Sequence, residues 1–185
     1  MARKTSLREF QQAVAQRLRD LSASRSLASK LGFQVGNQNW MVSLTDVSEV
    51  IPVPAIMPVP MTEPWFRGVA NVRGKLYSIS DLSRFQGGVD TTSGVERRVI
   101  LTTDRIIEGS GLLVSRMLGL RNPDQFSAEP LQDADAMQPW IRARMRDAAG
   151  TIWLEMDLTK LAASQRFLNV GIYAQSEGTA LTHAS

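Results

Sequence analysis

The 185-residue sequence contains no cysteine and a single histidine. Without cysteine there can be no disulfide, thiolate nucleophile or cysteine zinc site, a usage that suits a reducing compartment. The lone histidine, His183, stands third from the last position in a stretch that reads as a loose tail, so it is poorly placed as a base, a metal ligand or the activator of a serine. Long apolar runs are missing too. None approaches the roughly 18 residues of a membrane span, and the first residues lack the apolar segment of a secretory signal, so the chain reads as soluble and cytoplasmic. No Gly-x-x-x-x-Gly-Lys-Ser/Thr loop occurs, and Gly109-Ser110-Gly111 feeds an apolar run rather than a helix start, which makes it a turn and not a phosphate cradle. Asp133-x-Asp135 lacks the central glycine and closing glutamate of a calcium loop. Among the remaining carboxylates, Asp81 and Asp157 read better as helix caps than as an acid/base pair with Asp104 or Glu108. Neither an enzyme nor a metal or cofactor protein is expected.

What is present is a globular composition, 43% hydrophobic, with an uneven distribution of charge. Residues 1–30 carry Arg3, Lys4, Arg8, Arg17, Arg19, Arg25 and Lys30 against Glu9 and Asp20, a net +5, which leaves −2 for residues 31–185 of a chain whose total is +3. Ser6 and Glu9 are spaced as a capping box, and Leu7, Phe10, Val14, Leu18 and Leu21 form one helical stripe, so the spacing predicts a basic amphipathic helix followed by a Ser/Ala-rich connection to Lys30. Such a stripe could bury itself on the body of the protein, on a partner or on a second copy. Its charge could serve solubility, an anionic lipid surface or nucleic acid.

From Leu31 the period drops to two. Leu31, Phe33 and Val35 lead through Gly36-Asn37 to Trp40, Val42 and Leu44, a hairpin pattern, with Val47 to Ile51 as a further bent strand or helical turn. Five of the eight prolines, Pro52, Pro54, Pro58, Pro60 and Pro64, then mark an extended surface crossing, because proline lacks the ladder donor of a central strand. Trp65 to Leu82 is a tight hairpin turning at Arg73-Gly74, where glycine supplies a positive φ, with a short helical cap from Asp81. Gln86 to Gly94 is the best linker candidate. Arg98 to Thr102 and Leu112 to Val114 read as strands, with Met117 to Leu120 continuing the second, while Asn122 to Gln138 reads as an acidic loop and the residues from Ile172 onward as a tail.

The chain also echoes itself. Pro64-Trp65-Phe66-Arg67 recurs as Pro139-Trp140-Ile141-Arg142, Asp81-Leu82 as Asp157-Leu158, and Val42-Ser43 as Val114-Ser115, in the same order at offsets of 75, 76 and 72. Two similar lobes are therefore expected, about 31–86 and about 95–171, each with a hairpin, built as small barrels because strands recur without long helices between them. Trp65, Phe66 and Arg73, near the proline crossing, combine large contact area with polar handles and mark a candidate recognition surface, although Trp65 can equally pack between the lobes and Arg73 can fold back to order its own turn.

Gly68-Val69-Ala70-Asn71-Val72-Arg73-Gly74, followed by Asp81-Leu82, resembles the Gly-Val-x-Asn-x-Arg-Gly…Asp-Leu signature of the CheW-like domain of bacterial chemosensory coupling proteins. Val50-Ile51 before the prolines, and Gly111-Leu112-Leu113-Val114 with Met117-Leu118-Gly119, are similar to further segments of that domain, so the resemblance spans roughly 31–171. The basic leader and the Trp153 region are most similar to the PilI-type branch, which serves type IV pili and twitching motility. The resemblance implies an all-β protein with an N-terminal helix, made of two intertwined SH3-like five-stranded β-barrels. It implies a non-enzymatic adaptor that joins the cytoplasmic tip of a methyl-accepting chemoreceptor to the regulatory domain of a CheA-type histidine kinase, at membrane-associated arrays, without a cofactor. Carried over by motif, the partner-binding residues would be Val69, Asn71, Arg73 and Gly74, with Trp65, Phe66, Val114 and Ser115 beside them. Ser115 stands where the family usually has Asp, and the second-lobe motif around Arg144 lacks the glycine after its arginine. The alternative expectation is a small-barrel nucleic-acid-binding protein that uses the basic leader, with self-association through that helix a further possibility.

Overall fold

Strand period, not helical period, governs the chain from Lys30, and short turns chop it into eleven strands among the described residues. The computed structural model describes residues 29–91 and 94–172, so the expected leader helix and the tail beyond 172 lie outside the described residues. In order, the elements are β1 Lys30–Val35, β2 Gln38–Ser43, β3 Val47–Pro52, β4 Phe66–Val72, β5 Lys75–Asp81, α1 Leu82–Phe85, β6 Arg98–Thr102, β7 Ser110–Val114, β8 Arg116–Arg121, β9 Phe126–Glu129, α2 Asp133–Ala136, β10 Ile141–Asp147, β11 Ile152–Met156, α3 Leu158–Ala163 and α4 Gln165–Leu168. The β1–β2 turn places Gly36 at φ 57°, opposite Val35 paired with Gln38, a two-residue reversal that a glycine in its first position makes possible.

Two sheets form, ordered β8-β1-β2-β11-β10-β9 and β3-β6-β7-β5-β4. Each takes strands from both halves of the chain. The first joins β2 to β11 in parallel, with Trp40 opposite Leu154, and the second joins β5 to β7 in parallel, with Ser80 opposite Leu112. Aligning the orders superimposes β1 on β6, β2 on β7, β8 on β3, β11 on β5 and β10 on β4, so the sequence echo is a structural repeat whose halves are interlocked. The repeat extends to single bonds: Asp81 N donates to Trp65 O at 2.8 Å, and Asp157 N donates to Trp140 O at 2.8 Å. Asp81 Oδ1 accepts from Ser83 N and Arg84 N, and Asp157 Oδ1 accepts from Lys160 N, so both carboxylates cap the helices that follow them.

Two apolar clusters result. The smaller, Ile51, Ala70, Ile79, Val99, Leu101 and Leu113, fills the inside of the second sheet. The larger joins the sheets and contains Phe33, Trp40, Val42, Trp65, Leu82, Phe85, Leu112, Val114, Trp140, Leu158 and Phe167. Burying each such side chain contributes roughly 1.5–3 kcal/mol, so the interlobe layer is a main source of stability.

Several sequence expectations change or gain detail. Met117 to Leu120 do not continue β7: at Ser115 the chain leaves the second sheet, and β8 pairs with β1 of the first. Asn122 to Gln138 is not an open loop, because it holds β9, paired with β10, and α2. The proline crossing is tied down, since Met57 and Val69 exchange both backbone hydrogen bonds at 2.8 and 2.9 Å. With β9 the first sheet has six strands where five were expected.

Candidate partner-binding site

The β4–β5 hairpin turns on Arg73 at φ 53° and Gly74 at φ 85°. Positive φ at both central residues is the I′ geometry whose twist matches the strands, and it puts a non-glycine residue in the left-handed region. Two side chains hold it there, through three hydrogen bonds. Asn71 Oδ1 accepts from Gly74 N at 2.8 Å, and the Arg73 guanidinium donates to both carboxylate oxygens of Glu49, at 2.8 and 2.7 Å. Glu49 lies on β3, at the far end of the sheet order from β4, so this fork-to-fork pair closes the curled sheet on itself. Lys75 Nζ meets Asp104 at 2.7 Å beside it. That hydrogen bond holds the Lys75 ammonium above its ordinary range.

Register sorts the faces of the hairpin. Ala70, Val72, Tyr77 and Ile79 face the core, while Val69, Asn71, Leu76 and Ser78 share the outer face. Leu76 is 58% exposed, and so is Met57 at 59% on the strap that pairs with Val69. The outer face thus presents Met57, Val69 and Leu76 next to the Arg73–Glu49 and Lys75–Asp104 pairs, an apolar strip with a charged border of the sort that protein interfaces use. Gly68 makes the close approach of the strap possible: a Cβ there would sit 2.0 Å from Met57 O, at a φ of 122°.

The other candidate residues occupy different places. Trp65 is 5% exposed and stacks on Phe167 with centroids 5.5 Å apart, edge-on to Phe85 at 5.1 Å. Phe66 is half-buried and lines, with Trp65, Ile107 and Phe167, a pocket of ≈ 230 Å³. Val114 is fully buried in the interlobe cluster. Ser115 marks the crossing between sheets, where its N–H donates to Gln34 O at 2.9 Å and its Oγ accepts from Gly36 N at 3.2 Å. Val69, Asn71, Arg73 and Gly74 therefore form one surface, and Trp65, Val114 and Ser115 belong to the layer and crossing that support it. Glu49, Met57 and Leu76 are the surface residues that sequence reasoning did not select. Leu76 could have been found from its place opposite Asn71, but nothing local signals that Glu49 reaches Arg73.

In the second lobe the matching hairpin is held by an exposed arginine, Arg142, on two buried carboxylates. Lys30, Glu155, Arg142 and Asp157 form a chain of ion pairs at 2.8, 3.4 and 2.8 Å, and Arg144 meets Asp135 at 2.9 Å. Burial alone would raise the Asp157 carboxyl, but the Arg142 guanidinium and the Lys160 N–H outweigh it and hold it below the usual carboxylate range. Among the described residues no group of His, Cys, Asp and Glu is arranged to hold a metal, and no helix is long and apolar enough to cross a membrane.

Comparison with known proteins gives a consistent result. The chain is 32% identical over 146 residues to Protein PilI of Pseudomonas aeruginosa, covering 78% of this chain and 80% of that protein. Its fold matches the crystal structure of the scaffolding protein TtCheW from Thermoanaerobacter tengcongensis with a TM-score of 0.58 at 18% identity, over 69% of this chain and 86% of that one. A family model for the CheW-like domain matches residues 30–166, so the chain belongs to the CheW-like domain family.

Proposed function

We propose that this protein is the coupling adaptor of a type IV pilus chemosensory system, joining the cytoplasmic tip of a methyl-accepting chemoreceptor to the regulatory domain of a CheA-type histidine kinase. The observation that carries this reading is the outer face of the β4–β5 hairpin, where the family motif Asn71-Val72-Arg73-Gly74 sits on a turn locked to β3 beside exposed Met57 and Leu76. The similarity to PilI supports the pilus assignment. The mechanism is geometric. An adaptor that binds two partners raises the effective concentration of one at the other, and it transmits a receptor state only if its two contact faces keep a fixed relation. The protein works in the cytoplasm, bound to receptor arrays. Purified protein is expected to bind both a cognate receptor cytoplasmic hairpin and the kinase regulatory domain by titration calorimetry. Absence of binding to either at high micromolar concentration would overturn the assignment.

A further inference from the structure

The repeat makes a comparison between its own halves possible, and the halves differ at one place. In the second sheet, the turn residue Arg73 clamps Glu49 of the terminal strand β3. In the first sheet, the register of β8 on β1 puts Arg116 where Glu49 lies, and the β10–β11 turn puts Ala148 where Arg73 lies. One charge is reversed and the other lost, so no clamp forms. Beside that turn lies instead a pocket of ≈ 410 Å³, lined by Arg121, Gln125, Phe126, Asp147, Ala148 and Ala149.

Arg121 is built into this opening without a carboxylate partner among the described residues. Its guanidinium lies 4.9 Å over the Trp153 ring, one Nη donates to Leu118 O at 2.8 Å, and its Nε is buried with no partner. The other Nη has no hydrogen-bond partner among the described residues, and a guanidinium donor of this kind is best matched by a carboxylate. Asp147 does not supply it. Its oxygens accept from Trp153 Nε1 at 2.9 Å and from the N–H groups of Ala149 and Thr151 at 3.0 and 2.9 Å. The apolar side of the opening is the Phe126 ring, set edge-on to Trp153, with the methyls of Ala148 and Ala149.

We infer that this opening is a second docking site, taking from a partner polypeptide an aliphatic or aromatic side chain that lies next to a carboxylate. The apolar group fills the space over Phe126 and the alanines, and the carboxylate meets Arg121. The inference stands apart from the adaptor reading, because it depends on the asymmetry between the two turns and not on which proteins are coupled.

The test is a titration of the full-length, ¹⁵N-labelled protein with the blocked dipeptide Ac-Asp-Leu-NH₂, alongside Ac-Asn-Leu-NH₂ and Ac-Asp-Gly-NH₂, following the Trp153 indole N–H and the Ala148 and Ala149 amides. At the efficiency of drug-sized ligands a molecule of this size binds no tighter than roughly tens of micromolar, so the titration runs into the millimolar range. Saturable shifts with Asp-Leu, at least about tenfold weaker with either control, are expected. Filling the opening with Ala149→Trp, at an exposed turn position, abolishes them while the rest of the amide spectrum persists. Arg121→Met keeps an aliphatic cover on Trp153 and should erase the preference for Asp over Asn. No saturable shift, equal shifts for all three dipeptides, or shifts indifferent to Ala149→Trp would each overturn the assignment.

Discussion

Replacing Arg73 separates two roles that the turn combines. Arg73→Ala removes a bidentate pair with Glu49 but keeps a residue with a Cβ at φ 53°. The Arg73 side chain is 76% exposed and that of Glu49 36%, so the pair contributes about 0.2–1 kcal/mol, toward the upper end because both Nη atoms engage. Arg73→Gly loses the same pair but also removes a left-handed penalty of roughly 1–2 kcal/mol, against an entropic cost of glycine of roughly 0.5–1 kcal/mol. The glycine variant should therefore be more stable than the alanine variant by about 0.5–1 kcal/mol. For a chain of this size that is a melting temperature higher by about 1–4 °C. Thermal melts of wild type, Arg73→Ala, Arg73→Gly, Glu49→Ala and Glu49→Ala/Arg73→Ala measure both quantities, since wild type, the two alanine variants and their double variant form a cycle whose coupling should be about 0.2–1 kcal/mol. A glycine variant that melts at or below the alanine variant would refute the turn argument, and zero coupling would refute the clamp. Partner binding then assigns the guanidinium: if it touches a partner, both variants lose affinity equally, whereas if it only sets the turn, Arg73→Gly binds better than Arg73→Ala.

Gly68→Ala places a Cβ 2.0 Å from Met57 O, so the strap must leave β4, and proteolysis within residues 53–64 should accelerate well beyond the change in global stability. Lowering the pH should weaken the second lobe. Asp157 has a depressed folded pKa, so its contribution is present above the ordinary carboxylate pKa of about 3.9 and is lost as pH falls through the lower folded value, and Asp157→Asn should flatten the acid limb of a stability profile below about pH 5. Trp65→Ala removes a side chain packed on Phe85 and Phe167 and should cost about 3–5 kcal/mol in chemical denaturation. Fragments 1–91 and 92–185 expressed separately should each fail to give a dispersed amide spectrum and should recover it on mixing, because β2 needs β11 and β5 needs β7.

The hairpins, the caps at Asp81 and Asp157 and the repeat were legible because each is written in local pattern: period-two alternation, a glycine at a two-residue turn, and an acid just before a helix. What joins the lobes was not, because the parallel pairs link Trp40 to Leu154 and Ser80 to Leu112, and no local property of either residue names its partner. The same limit explains β9. Phe126-Ser127-Ala128-Glu129 is too short and polar to read as a strand, and it becomes one because β10 offers it an edge. By pattern Met117 to Leu120 read as continuous with β7, since a single small residue, Ser115, separates β7 from β8, yet that residue is where the chain changes sheets, its N–H held by Gln34. Trp65 was attractive as a contact residue by type. Its burial is decided by Phe85 and Phe167, of which the second arrives about a hundred positions later.

Interlocking gives the proposed adaptor a physical basis for relaying a signal without a moving part. If each lobe were a separate barrel on a linker, a partner bound to one would leave the other free to reorient, and coupling would be limited to the concentration effect of the tether. Here the parallel pairs β2–β11 and β5–β7 carry each half of the chain into the other's sheet, and the layer from Trp40 through Phe85 to Phe167 fills the space between them. Arg166 adds to this by donating to Phe85 O while its guanidinium lies 4.7 Å from the Phe85 ring, fastening α4 to α1 across the layer. The Arg73–Glu49 turn of one sheet and the unclamped opening beside Arg121 of the other belong in consequence to one packed body. A change of orientation imposed at either has no linker in which to be absorbed, so it must appear at the other.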